Sequence, residues 1–160
     1  IVCRGTLQRA PLGKFLSMNV DKILERLKVY FEKRDDISFA YLFGSWAKQQ
    51  EGIDSDVDIA IYFEPKGNYE WERTDFRSDN EKSIWLDIEQ IIEREVDLLI
   101  LNRATPTIAD SALRGIPIII KNHNVYMDFL LRITSEAIDF RQWIESYWNL
   151  KEKMKHGVTT

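Results

Sequence analysis

A chain of 160 residues with 44% hydrophobic content has material for one domain around one core, and too little for two full enzyme domains. Its 22 Lys and Arg against 26 Asp and Glu leave a net charge of -4, without the basic footprint that a nucleic-acid polymer or an anionic membrane would select. The single cysteine, Cys3, closes no internal disulfide and supports no thiolate metal cluster, which fits a cytoplasmic protein, and no apolar run approaches the length of a membrane span.

Residues 1–17 show neither the continuous apolar segment nor the small-residue cleavage pattern of a signal peptide. They read as an N-terminal extension outside the core, with Met18 a natural start and residues 18–160 a single domain. From Asn19 onward Ile23, Leu24, Leu27 and Phe31 recur at helical spacing, and Asn19 is placed to cap that helix. "ISFAYLF" at 37–43 and "VDIAIYF" at 57–63 are short, β-branched and aromatic, so both read as strands, with Gly44 starting a turn between them. After a charged turn at 64–68, Ile84, Ile88, Ile91 and Ile92 mark a helix that ends near Arg94, where "EVDLLIL" at 95–101 begins a third strand. Thr105 and Pro106 form a helix start and Gly115 a helix stop. "IPIII" at 116–120 is a fourth strand, and Pro117, which cannot donate to a ladder, assigns it to an edge. A long helix over 124–155 closes the chain, with Phe129, Ile133, Ala137, Phe140, Ile144 and Trp148 along one face. Trp143, Tyr147 and Trp148 lie close together there, and such aromatics serve either a core or a protein partner.

The chemistry concentrates where Asp54, Asp56 and Asp58 stand on alternate positions at the entry to the second strand. Alternation in a strand projects Asp56 and Asp58 from the same side. Two carboxylates forced together repel, and the arrangement persists with a shared proton or a bound cation. A hard divalent ion such as Mg²⁺ takes oxygen ligands and keeps room for phosphate oxygens. Asp97, third in its own strand segment, reaches the same place if the two strands are neighbours, and three convergent carboxylates can hold two ions. Gly44 and Ser45, where a strand turns into a helix, offer backbone N–H groups and a hydroxyl to an anion. Taken singly, an Asp-x-Asp pair is more often a solvated strand end, and Gly-Ser after a strand is usually only a turn.

Two other readings of these residues fail on spacing. "DSDVDI" imitates half of a calcium loop, but the sixth position is Ile59 and the twelfth is Pro65, where that loop needs Gly and Glu. "FGSWA" lacks the second glycine of a nucleophile elbow around Ser45, and the two histidines, His123 and His156, lie in a turn and near the C-terminus.

Gly44-Ser45, ten intervening residues, Asp56-Val57-Asp58 and then a strand-borne Asp97 together resemble the signature of the minimal nucleotidyltransferases of the DNA polymerase β-like superfamily. The resemblance spans residues 20–120 in element order. It implies an α/β nucleotidyltransferase fold with a mixed sheet of about four strands. It also implies Asp56, Asp58 and Asp97 as Mg²⁺ ligands, with Mn²⁺ a substitute, and Gly44, Ser45 and Lys48 on the phosphates of ATP. Members of this size are commonly antitoxins encoded beside a helical HEPN protein, several of which adenylylate a tyrosine of that toxin. Where members often carry Arg-Ala-Arg-Gly after the Gly-Ser, this chain has Trp46-Ala47-Lys48-Gln49; Lys48 supplies a point charge, whereas Trp46 makes no bidentate phosphate contact.

The implied mechanism is in-line attack of a hydroxyl on the α-phosphorus, with Asp97 either the base or only a third ligand. Three functions stay open: AMP transfer to a protein partner, neutralisation of that partner by contact alone, and small-molecule transfer of the aminoglycoside type. The last has little chain left for a separate substrate domain. Self-association into a homo-oligomer is also left open.

Overall fold

The computed structural model describes residues 19–48, 55–66 and 76–156. The expectations for residues 1–17, for Met18 and for Asp54 lie outside the described residues.

The first helix, α1 (Val20–Glu32), begins where Asn19 accepts a 3.0 Å bond from the Lys22 N–H, and it buries Ile23, Leu27 and Phe31 at the expected spacing. Strand β1 (Ile37–Phe43) follows, then the single-turn helix α2 (Gly44–Ala47) and strand β2 (Val57–Phe63). Helix α3 (Glu81–Ile92) buries Ile84, Ile88 and Ile92 and ends at Glu93, whose φ of 55° stops the helix in the left-handed region. Strand β3 (Val96–Ile100) is followed by a 3₁₀ turn over Leu101–Arg103 and helix α4 (Pro106–Leu113). Pro106 occupies the first turn as expected, although the Thr105 side chain makes no capping bond. Strand β4 (Ile116–Ile120) and the long helix α5 (His123–His156) complete the order.

The described strands form one mixed sheet in the order β3-β2-β1-β4. β1 runs antiparallel to both β2 and β4, and β2 runs parallel to β3. β4 therefore lies at an edge, as Pro117 requires.

Alternation along the strands splits the core in two. Leu42, Val57, Ile59, Ile61 and Ile88 belong to a cluster under α1 and α3, whereas Phe39, Tyr41, Ala60, Tyr62 and Phe129 belong to one under α4 and α5. The result is a helix–sheet–helix sandwich.

Of the two readings left open for the α5 aromatics, core or exposed surface, the structure supports the second. Phe129, Ile133 and Ala137 are buried, but Trp148 on the same predicted stripe is 54% exposed, because no strand or helix among the described residues lies beneath that part of α5. Trp143 and Tyr147 are likewise exposed, at 63% and 49%. The Phe140 side chain lies outside the described residues.

Candidate functional site

Strand register brings the carboxylates to one end of the sheet. Asp58 pairs with Phe43 across the antiparallel ladder and with Asp97 across the parallel one. Paired residues share a face, so Asp58 and Asp97 project together on the α4/α5 side, and Asp56, just ahead of β2, is near enough for its charge to act on Asp58. That end of the sheet is open: Asp56 and Asp97 are exposed and Asp58 is half-buried. Burial first, then the charges of Asp97 and Asp56, push the Asp58 carboxyl above the usual aspartate range. The three groups are thus close enough to feel one another.

Gly44 makes the approach possible. Its φ is 69°, and a Cβ at this position would overlap Asp58 Oδ2 outright and stand 2.9 Å from Asp58 Cγ. Glycine is required both by the backbone conformation and by the carboxylate beside it. Ser45 and Lys48 share the same turn, Ser45 half-buried and Lys48 exposed, with the Lys48 N–H donating to the Gly44 carbonyl at 3.3 Å. A helix of one turn contributes little dipole, so any anion here would rely on the local N–H groups, the hydroxyl and the ammonium.

The donors suit a hard divalent cation in kind: three carboxylates, all oxygen, on adjacent strands. Among the described residues no three carboxylate, imidazole or thiolate groups already stand together as ligands. Binding would require the exposed Asp56 and Asp97 side chains to turn toward Asp58.

Contacts of four residues in this region were not legible in the sequence. Trp46, expected only to interrupt the basic motif, is 3% exposed in the core under α1 and α3; its indole N–H donates to the Ser55 carbonyl at 3.2 Å. The Arg94 guanidinium lies over its ring at 4.9 Å. Trp85 on α3 donates its indole N–H to the Val96 carbonyl at 2.9 Å, and Glu89 accepts from the Val96 N–H at 3.2 Å. The only signal in the sequence was the presence of large aromatics beside an otherwise polar motif.

The described part of the mixed sheet thus brings Asp58 and Asp97 to one end, beside the Gly44-Ser45 turn. The family described as "Polymerase beta, Nucleotidyltransferase" matches residues 25–124, more than half of the chain, and the chain belongs to that family of nucleotidyltransferases. No curated protein matches it in sequence. Among solved structures it is similar to a toxin-antitoxin with AMP-PNP, at 15% identity and TM-score 0.58, over 82% of this chain and 98% of that one. It is also similar to the toxin-antitoxin MntA-HepT, at 14% identity and TM-score 0.52, over 82% and 96%. A third match is the tri-AMPylated Shewanella oneidensis HEPN toxin in complex with MNT antitoxin, at 14% identity and TM-score 0.52, over 82% and 95%. At these identities the likeness is one of fold.

Proposed function

We infer that this nucleotidyltransferase transfers AMP from ATP to a tyrosine hydroxyl of a helical, HEPN-type protein partner in the cytoplasm, and so acts as an antitoxin. The observation that carries the reading is the register that sets Asp58 opposite Asp97, with the charge of Asp56 acting on Asp58 and Gly44 pressed against it. The solved relatives support the choice of donor and acceptor, since one is described with AMP-PNP and another as a tri-AMPylated HEPN toxin.

Asp56, Asp58 and Asp97 would hold Mg²⁺, which neutralises charge on the triphosphate and favours the ionised acceptor. Gly44, Ser45 and Lys48 orient the phosphates by N–H, hydroxyl and ammonium contacts. The acceptor hydroxyl oxygen forms the new bond to the α-phosphorus as the bond to the β-phosphate oxygen breaks and pyrophosphate leaves. Asp97, exposed at the sheet's open end, accepts the hydroxyl proton.

Intact-mass spectrometry of the partner tests this. After exposure to this chain, ATP and Mg²⁺, the partner should gain one or more AMP masses and stay inhibited when the chain is removed, and Asp58→Asn should abolish both effects. An unmodified partner that Asp58→Asn still neutralises would establish the contact-only reading. That second reading is favoured by the exposed Trp143, Tyr147 and Trp148, a surface suited to a protein.

A further inference from the structure

Asp58 is fixed on both sides by ladder pairing, but its two companions are not. Asp56 precedes β2, and Asp97 lies in β3, which is at an edge of the sheet among the described residues. Like charges brought close push such loosely held backbones apart. Each is nevertheless restrained one residue upstream by an indole. The Trp46 N–H holds the carbonyl of Ser55, the residue before Asp56, and the Trp85 N–H holds the carbonyl of Val96, the residue before Asp97. Glu89 takes the Val96 N–H as well, so both outward-facing backbone groups of that edge residue are occupied by α3. The inward-facing Glu95 carbonyl accepts from the Val57 N–H at 3.0 Å, which ties β3 to the start of β2. Arg94 over the Trp46 ring brings the two restraints together at the turn ahead of β3.

We propose that Trp46 and Trp85, the latter with Glu89, are positioning residues that hold the backbones of Asp56 and Asp97 in register for cation binding. The inference rests on the ligand set advanced above. It accounts for a tryptophan at the position where the resembling motif often carries its first arginine: the N–H and the buried ring organise the carboxylates rather than the nucleotide. Backbone groups so restrained lose little freedom when a cation draws the carboxylates inward, which is how supporting contacts raise metal affinity.

Mn²⁺ alone, titrated into the full chain by calorimetry or by its paramagnetic resonance signal, is the probe. Trp46→Phe and Trp85→Phe keep an aromatic ring and remove the N–H, and each should weaken Mn²⁺ binding about tenfold. Glu89→Gln retains an acceptor oxygen and should bind as wild type does, whereas Glu89→Ala should fall with the tryptophan variants. Metal-free melting is recorded alongside. A melting point that drops while Mn²⁺ affinity is unchanged would make the clamps merely structural and overturn the proposal. Should the buried Trp46 variant fail to fold, Trp85, which is 37% exposed, and the Glu89 pair decide the matter. Wild-type protein that takes up no Mn²⁺ would refute the ligand set itself, and the clamps with it. Wild-type binding with undiminished Trp85→Phe and Glu89→Ala binding would refute the clamps alone.

Discussion

Replacing Gly44 by alanine separates the backbone's need for glycine from the carboxylate's need for room. At φ 69° an L-residue carries a left-handed penalty of about 1–2 kcal/mol. For a chain of this size that corresponds to a melting point roughly 2–8 °C lower. The added Cβ would also stand 2.9 Å from Asp58 Cγ, and ordinary contact begins at 3.4 Å, so the carboxyl carbon must withdraw by 0.5 Å (3.4 less 2.9) and its nearer oxygen by more. Asp58 is a short side chain that can rotate away, so this clash costs less in stability than in placement. A displacement approaching 1 Å costs about a hundredfold in a positioned reaction.

The expected signature is therefore asymmetric. Gly44→Ala should melt a few degrees below wild type without ligand; wild type should melt higher with Mg²⁺ and ATP, and Gly44→Ala should lack that rise. In an Asp58→Ala background the same substitution should cost only the backbone penalty, since the clash is gone. A Gly44→Ala protein that retained the full ligand-dependent rise would refute the argument that Asp58 must sit against residue 44.

Asp58→Asn should leave the metal-free protein as stable as wild type or more so at neutral pH. The folded state raises the Asp58 pKa, so the stability linked to its protonated form is fully present below the unfolded value and lost as pH rises through the folded one. The advantage of asparagine should accordingly vanish as the pH falls below about 4; an advantage that grew with acid would contradict the raised pKa. Gly115→Ala should destabilise by about 2 kcal/mol or more, because the new Cβ would overlap the Leu42 carbonyl oxygen and stand 3.0 Å from Phe43 Cα, both backbone atoms, and an unchanged denaturation midpoint would refute this. Ile88→Ala should cost about 2–5 kcal/mol in chemical denaturation, and a loss under 1 kcal/mol would show the core under α3 to be looser than its burial indicates. Trp143→Ser with Trp148→Ser should shift stability by no more than about 0.5 kcal/mol, since both rings are exposed; a large loss would place them in a packed core instead.

Local chemistry made most of the fold legible. Asn19 announced α1, Pro117 announced an edge strand, and Thr105-Pro106 with Gly115 bracketed α4, because caps and prolines act within a few residues of themselves. The nearness of Asp56 to Asp58 was legible from their spacing, and the charge of Asp56 does act on the Asp58 carboxyl. That Asp97 stands directly opposite Asp58 was not legible, since register between strands 39 residues apart depends on packing of both faces. Periodicity left Trp148 open between a core and a partner, because it reports that a stripe exists and not whether anything lies beneath it; the exposure of the ring decides against the core. The indole bonds of Trp46 and Trp85 were not legible for a related reason: such a bond to a distant backbone carbonyl leaves no pattern along the chain.

The same packing accounts for how a carboxylate pair is tolerated at the mouth of a buried strand. Val57, Ile59 and Ile61 face α1 and α3, while Ala60 and Tyr62 face α4 and α5. A slip of β2 by one residue would exchange those three aliphatic side chains with Ala60 and Tyr62 between two clusters packed for different shapes, and would carry Asp58 into an apolar cluster as an unpaired buried charge. Both consequences oppose the slip. The residues that fix Asp58 opposite Asp97 are therefore apolar ones on the opposite face of the strand, and their packing supplies the restraint against which the two carboxylates repel. Repulsion between them is then relieved by binding a cation or a proton rather than by moving the strand, which is the condition a metal-dependent transferase needs in its resting state.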